Sequence, residues 1–219
     1  MGRITIAIDG PAGAGKSSVS KGVAEELGYL YIDTGAMYRA LTLISIEENL
    51  PPDNGPALAD RLKTLDIALS PGKVHIGERD ISDDIRRPEV SALVSEVCAH
   101  PEVRRELVRR QREMAVGGGV VMEGRDIGTV VLPNADLKIY LTANSRIRAI
   151  RRARQLKEAG IDSDLDQLEK DIILRDHKDS TREDSPLRQA DDAIVHDDSN
   201  ENLQESIDSL VRLAKAYGA

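Results

Sequence analysis

The sequence has no phenylalanine, no tryptophan and one cysteine, Cys98. A lone cysteine excludes an internal disulfide framework and any cysteine-built zinc site. The aromatic complement is Tyr29, Tyr31, Tyr38, Tyr140 and Tyr217, too sparse for the stacking platforms that bind single-stranded nucleic acid. Basic charge is also short. Lys+Arg 30 against Asp+Glu 38 leaves a net charge of −8, the wrong sign for a chain that wraps duplex nucleic acid. No apolar run approaches a membrane span, and the opening MGRITIAIDGPAG is too short an apolar stretch for a signal peptide. Ile6 stands where a myristoylation signal needs Ser or Thr. These absences lead us to expect a cytoplasmic protein with neither a nucleic-acid nor a membrane partner.

What is present suffices for one large domain, or one domain carrying a smaller insertion. The chain has 219 residues, 40% of them hydrophobic and 31% charged, so a core can form and neither a disordered nor a fibrous class fits. Short β-branched runs alternate with helical patterns, the signature of a parallel sheet covered by helices. Core strands are predicted at 4–8, 29–32, 120–123, 137–142 and 193–196. Helices are predicted at 16–27, 36–48, 88–99, 101–116, 145–159, 164–177 and 202–216, with Ser145 capping the fifth and Gly160 closing it. Residues 50–56, LPPDNGP, read as turn. Between 66 and 82 the character changes: DIALS, KVHI and RDIS read as short antiparallel strands separated by turns at Pro71-Gly72 and Gly77-Glu78.

Gly10-Pro11-Ala12-Gly13-Ala14-Gly15-Lys16-Ser17 matches G-x-x-x-x-G-K-[ST], between a predicted strand and the helix it opens. Successive backbone N–H groups of such a turn curl around a phosphate, and the helix N-terminus adds partial positive charge. Lys16 can then reach the β- and γ-phosphates of a nucleotide, and the Ser17 hydroxyl can hold Mg2+. The bland alternative is a chance glycine turn; strand, loop and helix in register argue for the phosphate loop. No N-K-x-D guanine-reading tetrad is present, and the chain is too short for a large motor. A compact kinase of a small metabolite remains.

Arginine supports that reading. Arg104, Arg105, Arg109, Arg110 and Arg112 share one predicted helix; Arg146, Arg148, Arg151, Arg152 and Arg154 share another; Arg125, Arg175, Arg182 and Arg188 lie in loops or at helix ends. Most of the helix arginines are expected on solvated faces with i,i+4 pairing such as Glu106–Arg110. Arg125, just after a core strand, is expected to be functional, because ligands of open α/β sheets bind beyond the carboxyl ends of the strands.

The pieces together resemble the bacterial cytidylate kinases. The marks are IDGPAGAGKSS (8–18), DTGAMYRALT (33–42), SEVCAHPEVRRELVRRQRE (95–113), EGRDIGTVVLPNADLKIYLTA (123–143) and RDHKDSTREDSPLRQADDAI (175–194), in the family's order. The resemblance implies an α/β, three-layer P-loop kinase fold with a five-stranded parallel sheet, a small antiparallel β insertion (about 60–100) that binds the monophosphate, and a helical lid (about 152–185). It implies transfer of the γ-phosphoryl group of MgATP to CMP or dCMP by a single domain spanning 1–219, with a monomer favoured. By matching position, ATP falls to Gly10, Pro11, Ala12, Gly13, Ala14, Gly15, Lys16, Ser17, Ser18 and Arg152, with Ser17 touching Mg2+ through ATP. Arg39, Arg125 and Arg182 fall to the CMP phosphate and the group in flight. Ser95, Arg104 and Asp126 fall to the cytosine, and Arg175 and Asp179 to the ribose side. Thr34 joins the CMP set, and Lys16, Arg125, Arg175 and Arg182 form the catalytic set.

The residue types suit these roles. A carboxylate at Asp126 can accept from the exocyclic amino group of cytosine, where uracil presents a second acceptor. Asp126 could instead orient Arg125 in an ion pair, Asp179 could be a lid ion-pair residue, and Thr34 could cap a helix. A phosphate acceptor needs no catalytic base, since its second pKa lies near 6, so His75, His100, His177 and His196 need no role. A kinase of UMP, AMP or shikimate, a nucleotide-binding regulator that has lost transfer, and an RNA-binding protein are the alternatives. GRDIGT with Ser95 and Arg104, the presence of Arg175 and Arg182, and the charge of −8 weigh against them in turn.

Overall fold

A computed structural model of the chain describes residues 2–70, 72–158 and 160–219. Pro71 of the expected Pro71-Gly72 turn, and Ala159 at the expected end of the arginine-rich helix, lie outside the described residues. The chain divides into two compact units, one of residues up to Tyr31 together with Gly117–Ala219, the other Ile32–Val116.

The first unit is organised on a five-stranded sheet of order β2-β6-β1-β7-β8, comprising β1 (Thr5–Asp9), β2 (Leu30–Asp33, in which the chain passes from the first unit to the second), β6 (Val120–Gly124), β7 (Leu137–Thr142) and β8 (Ile194–Asp197). β1 is central and runs parallel to both neighbours, with Asp9 level with Gly124 of β6 and with Tyr140 of β7. The carboxyl ends of β1 and β6 therefore deliver their loops side by side. Ile6 and Ile8 of β1, Val121 of β6, and Ile139 and Leu141 of β7 pack with Val19 and Val23 of α1 (Lys16–Leu27) and with Leu210 and Val211 of α8 (Leu203–Ala216). Each helix buries one apolar stripe, and β1 and β7 are buried along most of their length, as parallel strands covered on both faces are. α6 (Ser145–Glu158) and α7 (Leu165–Thr181) complete this unit.

The second unit contains α2 (Thr34–Glu47), α3 (Gly55–Lys63), α4 (Pro88–Val97), α5 (Pro101–Met114) and an antiparallel sheet of β3 (Ile67–Ser70), β4 (Lys73–Ile76) and β5 (Arg79–Asp80). Met37 and Leu41 of α2, Leu58 and Leu62 of α3, Val94 of α4 and Leu107 of α5 form its core. α5 shows why: Val103, Leu107 and Val108 recur at helical spacing and are buried, whereas Arg105, Arg109 and Arg112 face outward.

The α/β expectation holds, but several local readings need correction. Residues 50–56 are not all turn, because α3 starts at Gly55. Pro56 sits in the first helical turn, where its missing N–H is no loss, and the Asn54 side chain accepts from Ala57 N–H at 3.1 Å. Arg110 then closes the far end of α3, donating to the Leu62 and Leu65 carbonyls at 2.8 Å each. Thr34 does not cap α2: it is the first helical residue, and Asp33 is the cap, accepting from Ala36 N–H at 3.0 Å. Asn144, not Ser145, accepts at the start of α6, from Arg146 N–H at 2.8 Å; the Ser145 hydroxyl turns to Glu169 instead. α7 does not stop at His177. The Ser180 and Thr181 hydroxyls donate back to the His177 carbonyl and sustain a last turn. Residues Ile127–Val131 form a π-helical turn. No helix among the described residues is long and apolar enough to cross a membrane.

Leu107 is fully buried. Leu107→Ala is expected to lower the unfolding free energy by about 2–5 kcal/mol, through lost burial plus a cavity. Urea unfolding would measure it, and a loss below about 1 kcal/mol would mean that α5 is not closely packed in this core.

Candidate active site

β1 ends in Asp9 and the chain turns at once into the glycine-rich loop. Gly10 has φ +154, and a Cβ there would lie 1.9 Å from the Leu141 carbonyl oxygen of β7, so only glycine lets the loop leave the sheet at this point. Gly15 is the left-handed residue preceding α1, with φ 86 and no side-chain cap hydrogen bond. The first amides of α1 are thus not taken by a capping side chain, the condition under which a helix N-terminus receives an anion. Gly13, Ser17 and Ser18 are exposed, whereas Lys16 is buried and donates through Nζ to the Pro11 carbonyl at 2.8 Å. Burial, and then the charge of Arg125, push the Lys16 ammonium from 10.5 down to about 7, against the pull of Glu123 and Asp9.

Asp9 ties this loop to the next one. Its two carboxylate oxygens accept from the amides of Ile127 at 2.8 Å and Gly128 at 2.7 Å, at the head of the π-helical turn. Burial raises its pKa to about 6, in spite of those two donors. The turn is thereby fixed immediately after Arg125 and Asp126. Glu123, buried at the end of β6, accepts a hydrogen bond from the Tyr31 hydroxyl.

α7 brings its own charges to the same end of the sheet. Asp179, buried near the end of α7, accepts from Arg125 Nε at 3.0 Å. Arg182, the residue that caps α7, lies 3.5 Å from Asp126 and donates through Nε to the Ser185 carbonyl at 2.7 Å. Burial opposes the charge on Arg125, but the carboxylates around it, Asp179 first and then Glu123 and Asp176, together raise the guanidinium pKa. Asp126 thus pairs with Arg182 rather than with its neighbour Arg125, and the ion pair considered for Asp179 is made with Arg125. Arg175 lies one helical turn before Asp179 on α7, half-buried. Arg152 lies on α6 and is within 3.4 Å of Gln155 Oε1. His177 is exposed.

In the second unit, Arg39 of α2 donates to the Ile85 carbonyl at 3.2 Å and to Ser91 Oγ at 2.9 Å. Ser95 stands one turn after Ser91 on α4 and is half-buried. Arg104 of α5 is buried, donates to the Cys98 carbonyl at 3.2 Å and holds its guanidinium carbon 5.4 Å from the centroid of the Tyr38 ring, a cation–π geometry. Thr34 is buried at the start of α2.

The helix arginines divide as their exposure dictates. Arg109 pairs with Glu106 and Glu113, and Arg146 with Asp166 and Glu169, on solvated faces. Arg104 and Arg148 are buried. Asp9, Ser91 and Arg148 were not singled out from the sequence. Of these only Asp9 carried a signal there, as a charge ending a strand of otherwise apolar residues.

A five-stranded parallel sheet with a phosphate loop at the end of its central strand defines a P-loop kinase. A solved shikimate kinase from Bacteroides thetaiotaomicron shares the fold, with a TM-score of 0.51 over 97% of this chain and 98% of that one at 17% identity. The cytidylate kinase family model matches residues 6–216. The cytidylate kinases of Exiguobacterium sibiricum and Bacillus cytotoxicus are 52% and 47% identical to this chain. The alignments cover 98% of both chains in the first case and 96% of both in the second. The chain belongs to the cytidylate kinase family, as GRDIGTVV and the segment from Arg175 to Arg182 implied.

Two outcomes follow from this geometry. The free loop holds a neutral Lys16 amine above about pH 7, whereas a bound triphosphate favours the ammonium. ATP binding should therefore take up a proton and weaken as the pH rises through 7, by up to about tenfold per unit. Calorimetry at pH 8 in buffers of different ionisation enthalpy measures that uptake, and a value of zero would contradict the depressed pKa. Asp9→Asn keeps one acceptor but turns an NH2 toward a buried amide. It should lower stability by about 1–3 kcal/mol and reduce kcat; unchanged values of both would remove Asp9 from the support of Arg125.

Proposed function

We propose that the chain transfers the γ-phosphoryl group of MgATP to CMP or dCMP, yielding ADP and the corresponding diphosphate. The observation that carries this reading is the pair of ion pairs Arg125–Asp179 and Asp126–Arg182, beside the phosphate loop at the carboxyl ends of β1 and β6. A net acidic chain gathers cationic side chains there and holds them with carboxylates before any substrate enters, which suits two phosphate groups that must meet.

The attacking group is an oxygen of the acceptor phosphate, already an anion near neutral pH, so no side chain has to remove a proton. The bond from the γ-phosphorus to the β-bridging oxygen of ATP breaks as the bond to the acceptor oxygen forms, and ADP leaves with the bridging oxygen. The loop amides and Lys16 hold the donor phosphates. Arg125, Arg175 and Arg182 neutralise the equatorial oxygens in transit, so the catalysis is positioning plus charge stabilisation. Asp179 and Arg175 take the ribose side, Arg39 the CMP phosphate, and Ser95, Arg104 and Asp126 the base, and Thr34 belongs to the CMP set. Arg152 takes the ATP side, and the segment of about 152–185 acts as a lid that excludes water.

Among the described residues no group of three or more His, Cys, Asp or Glu could hold a metal ion unaided. The exposed Ser17 hydroxyl beside the loop fits an ion that arrives on the triphosphate. Ser17 would hold Mg2+, which would supply neutralisation of the triphosphate's charge. We place the protein in the cytoplasm, a reading supported by its composition, as a monomer with nucleotides as its partners.

With ATP and magnesium, ADP release should be fast with CMP and dCMP. It should be slower with UMP by about tenfold to a hundredfold in kcat/KM, because a second acceptor would face the Asp126 carboxylate. Release without an acceptor should be close to zero. A coupled assay with CMP, dCMP, UMP, AMP and no acceptor measures all of this, and equal rates throughout would overturn the cytosine-reading roles.

A further inference from the structure

The second residue inside the phosphate loop, Ala12, has both of its backbone groups taken by charged side chains from distant helices. Its N–H donates to Asp176 Oδ1 of α7 at 3.0 Å. Its carbonyl accepts from Arg148 NH1 of α6 at 2.8 Å. The two side chains are themselves joined, Arg148 NH1 to Asp176 Oδ2 at 2.6 Å. Arg148 also donates through Nε to the Ala143 carbonyl, just beyond β7, at 2.9 Å, and its side chain is only 8% exposed. Gly13 lies against the same arginine, a Cβ there falling 3.4 Å from Arg148 Cβ. One joint thus connects the loop, the end of β7, α6 and α7. Asp176 directly follows Arg175, and Asp179 and Arg182 lie three and six residues further on.

We propose that Arg148 and Asp176 are positioning residues for phosphoryl transfer. Without touching either nucleotide, they seat the phosphate loop against α7, so that the donor phosphates and the arginines of α7 keep one relative placement. A charged, forked side chain suits this task. The guanidinium satisfies two carbonyls and a carboxylate at once, and a buried pair of this kind resists sliding more strongly than an apolar contact would. The motion expected of the segment 152–185 is then confined to the part before Asp176, while the end of α7 remains seated on the loop.

This inference rests on the reading of residues 10–17 as the ATP site, so its test measures ATP without an acceptor as well as turnover. Asp176→Asn turns an amide toward the guanidinium, and Arg148→Gln removes the fork. Each should weaken MgATP binding, measured by calorimetry without CMP, by about tenfold and lower kcat by about tenfold or more, while KM for CMP stays within about twofold. The double variant should lose no more than the worse single one, because the two side chains act as one unit through Ala12. Should either variant fail to fold, Arg148→Lys keeps the charge and loses the fork, and is judged by the same split between kcat and the KM for CMP. ATP affinity and kcat within twofold of the parent in a folded variant, or losses that add in the double variant, would overturn the proposal. Failure of the acceptor assignment reads differently: the parent would bind MgATP and the variants would still weaken it, but CMP would not accelerate ADP release.

Discussion

The site depends first on one buried carboxylate. Asp9 ends the central strand, and its two oxygens accept the amides of Ile127 and Gly128. Because β1 and β6 run parallel with Asp9 level with Gly124, the loops leaving them are neighbours by topology. Asp9 turns that adjacency into a fixed geometry. Placing a carboxylate there is costly enough to raise its pKa to about 6, and such a residue persists only where the amides it satisfies have no better partner. The glycine-rich loop begins one residue later, so the strand end that launches the phosphate site also anchors the turn behind Arg125 and Asp126.

Around that anchor the charges are arranged in alternation rather than as a basic patch. Arg125 is held by Asp179, Arg182 by Asp126, and Arg148 by Asp176. In each pair the acid and the base come from different elements of the fold. A cationic site made only of arginines would repel itself when empty; one interleaved with carboxylates is stable in advance and leaves the guanidiniums aligned. Lys16 lies among these charges with its ammonium pushed down by burial and by Arg125.

Much of this was legible in the chain. The phosphate loop, the central strands and the run from Arg175 to Arg182 are local patterns whose spacing carries a mechanism, and the family could be recognised from them. Where the reading failed, a local signal was ambiguous. Gly55-Pro56 looks like a break, and only the fit of Leu58 and Leu62 into the second unit's core makes it the start of α3. The polar run after His177 looks like loop, yet α7 continues because two hydroxyls close its last turn and the buried Asp179 meets Arg125. Ten arginines on two helices look alike in sequence, and only the fold separates the buried Arg104 and Arg148 from exposed ones such as Arg109 and Arg146.

The sequence by itself determined the fold class, the phosphate loop and the family, because each is written in short-range spacing: apolar periodicity, glycines where a side chain would collide, and a lysine placed to open a helix. The tertiary structure decided who partners whom. Asp126 could have paired with Arg125 next to it, but pairs with Arg182. Ala12 gives no sign in the chain that helix residues 136 and 164 positions away take its carbonyl and its amide. Such pairings follow from which strand ends lie side by side and how much water is left between them, and neither is local to the sequence.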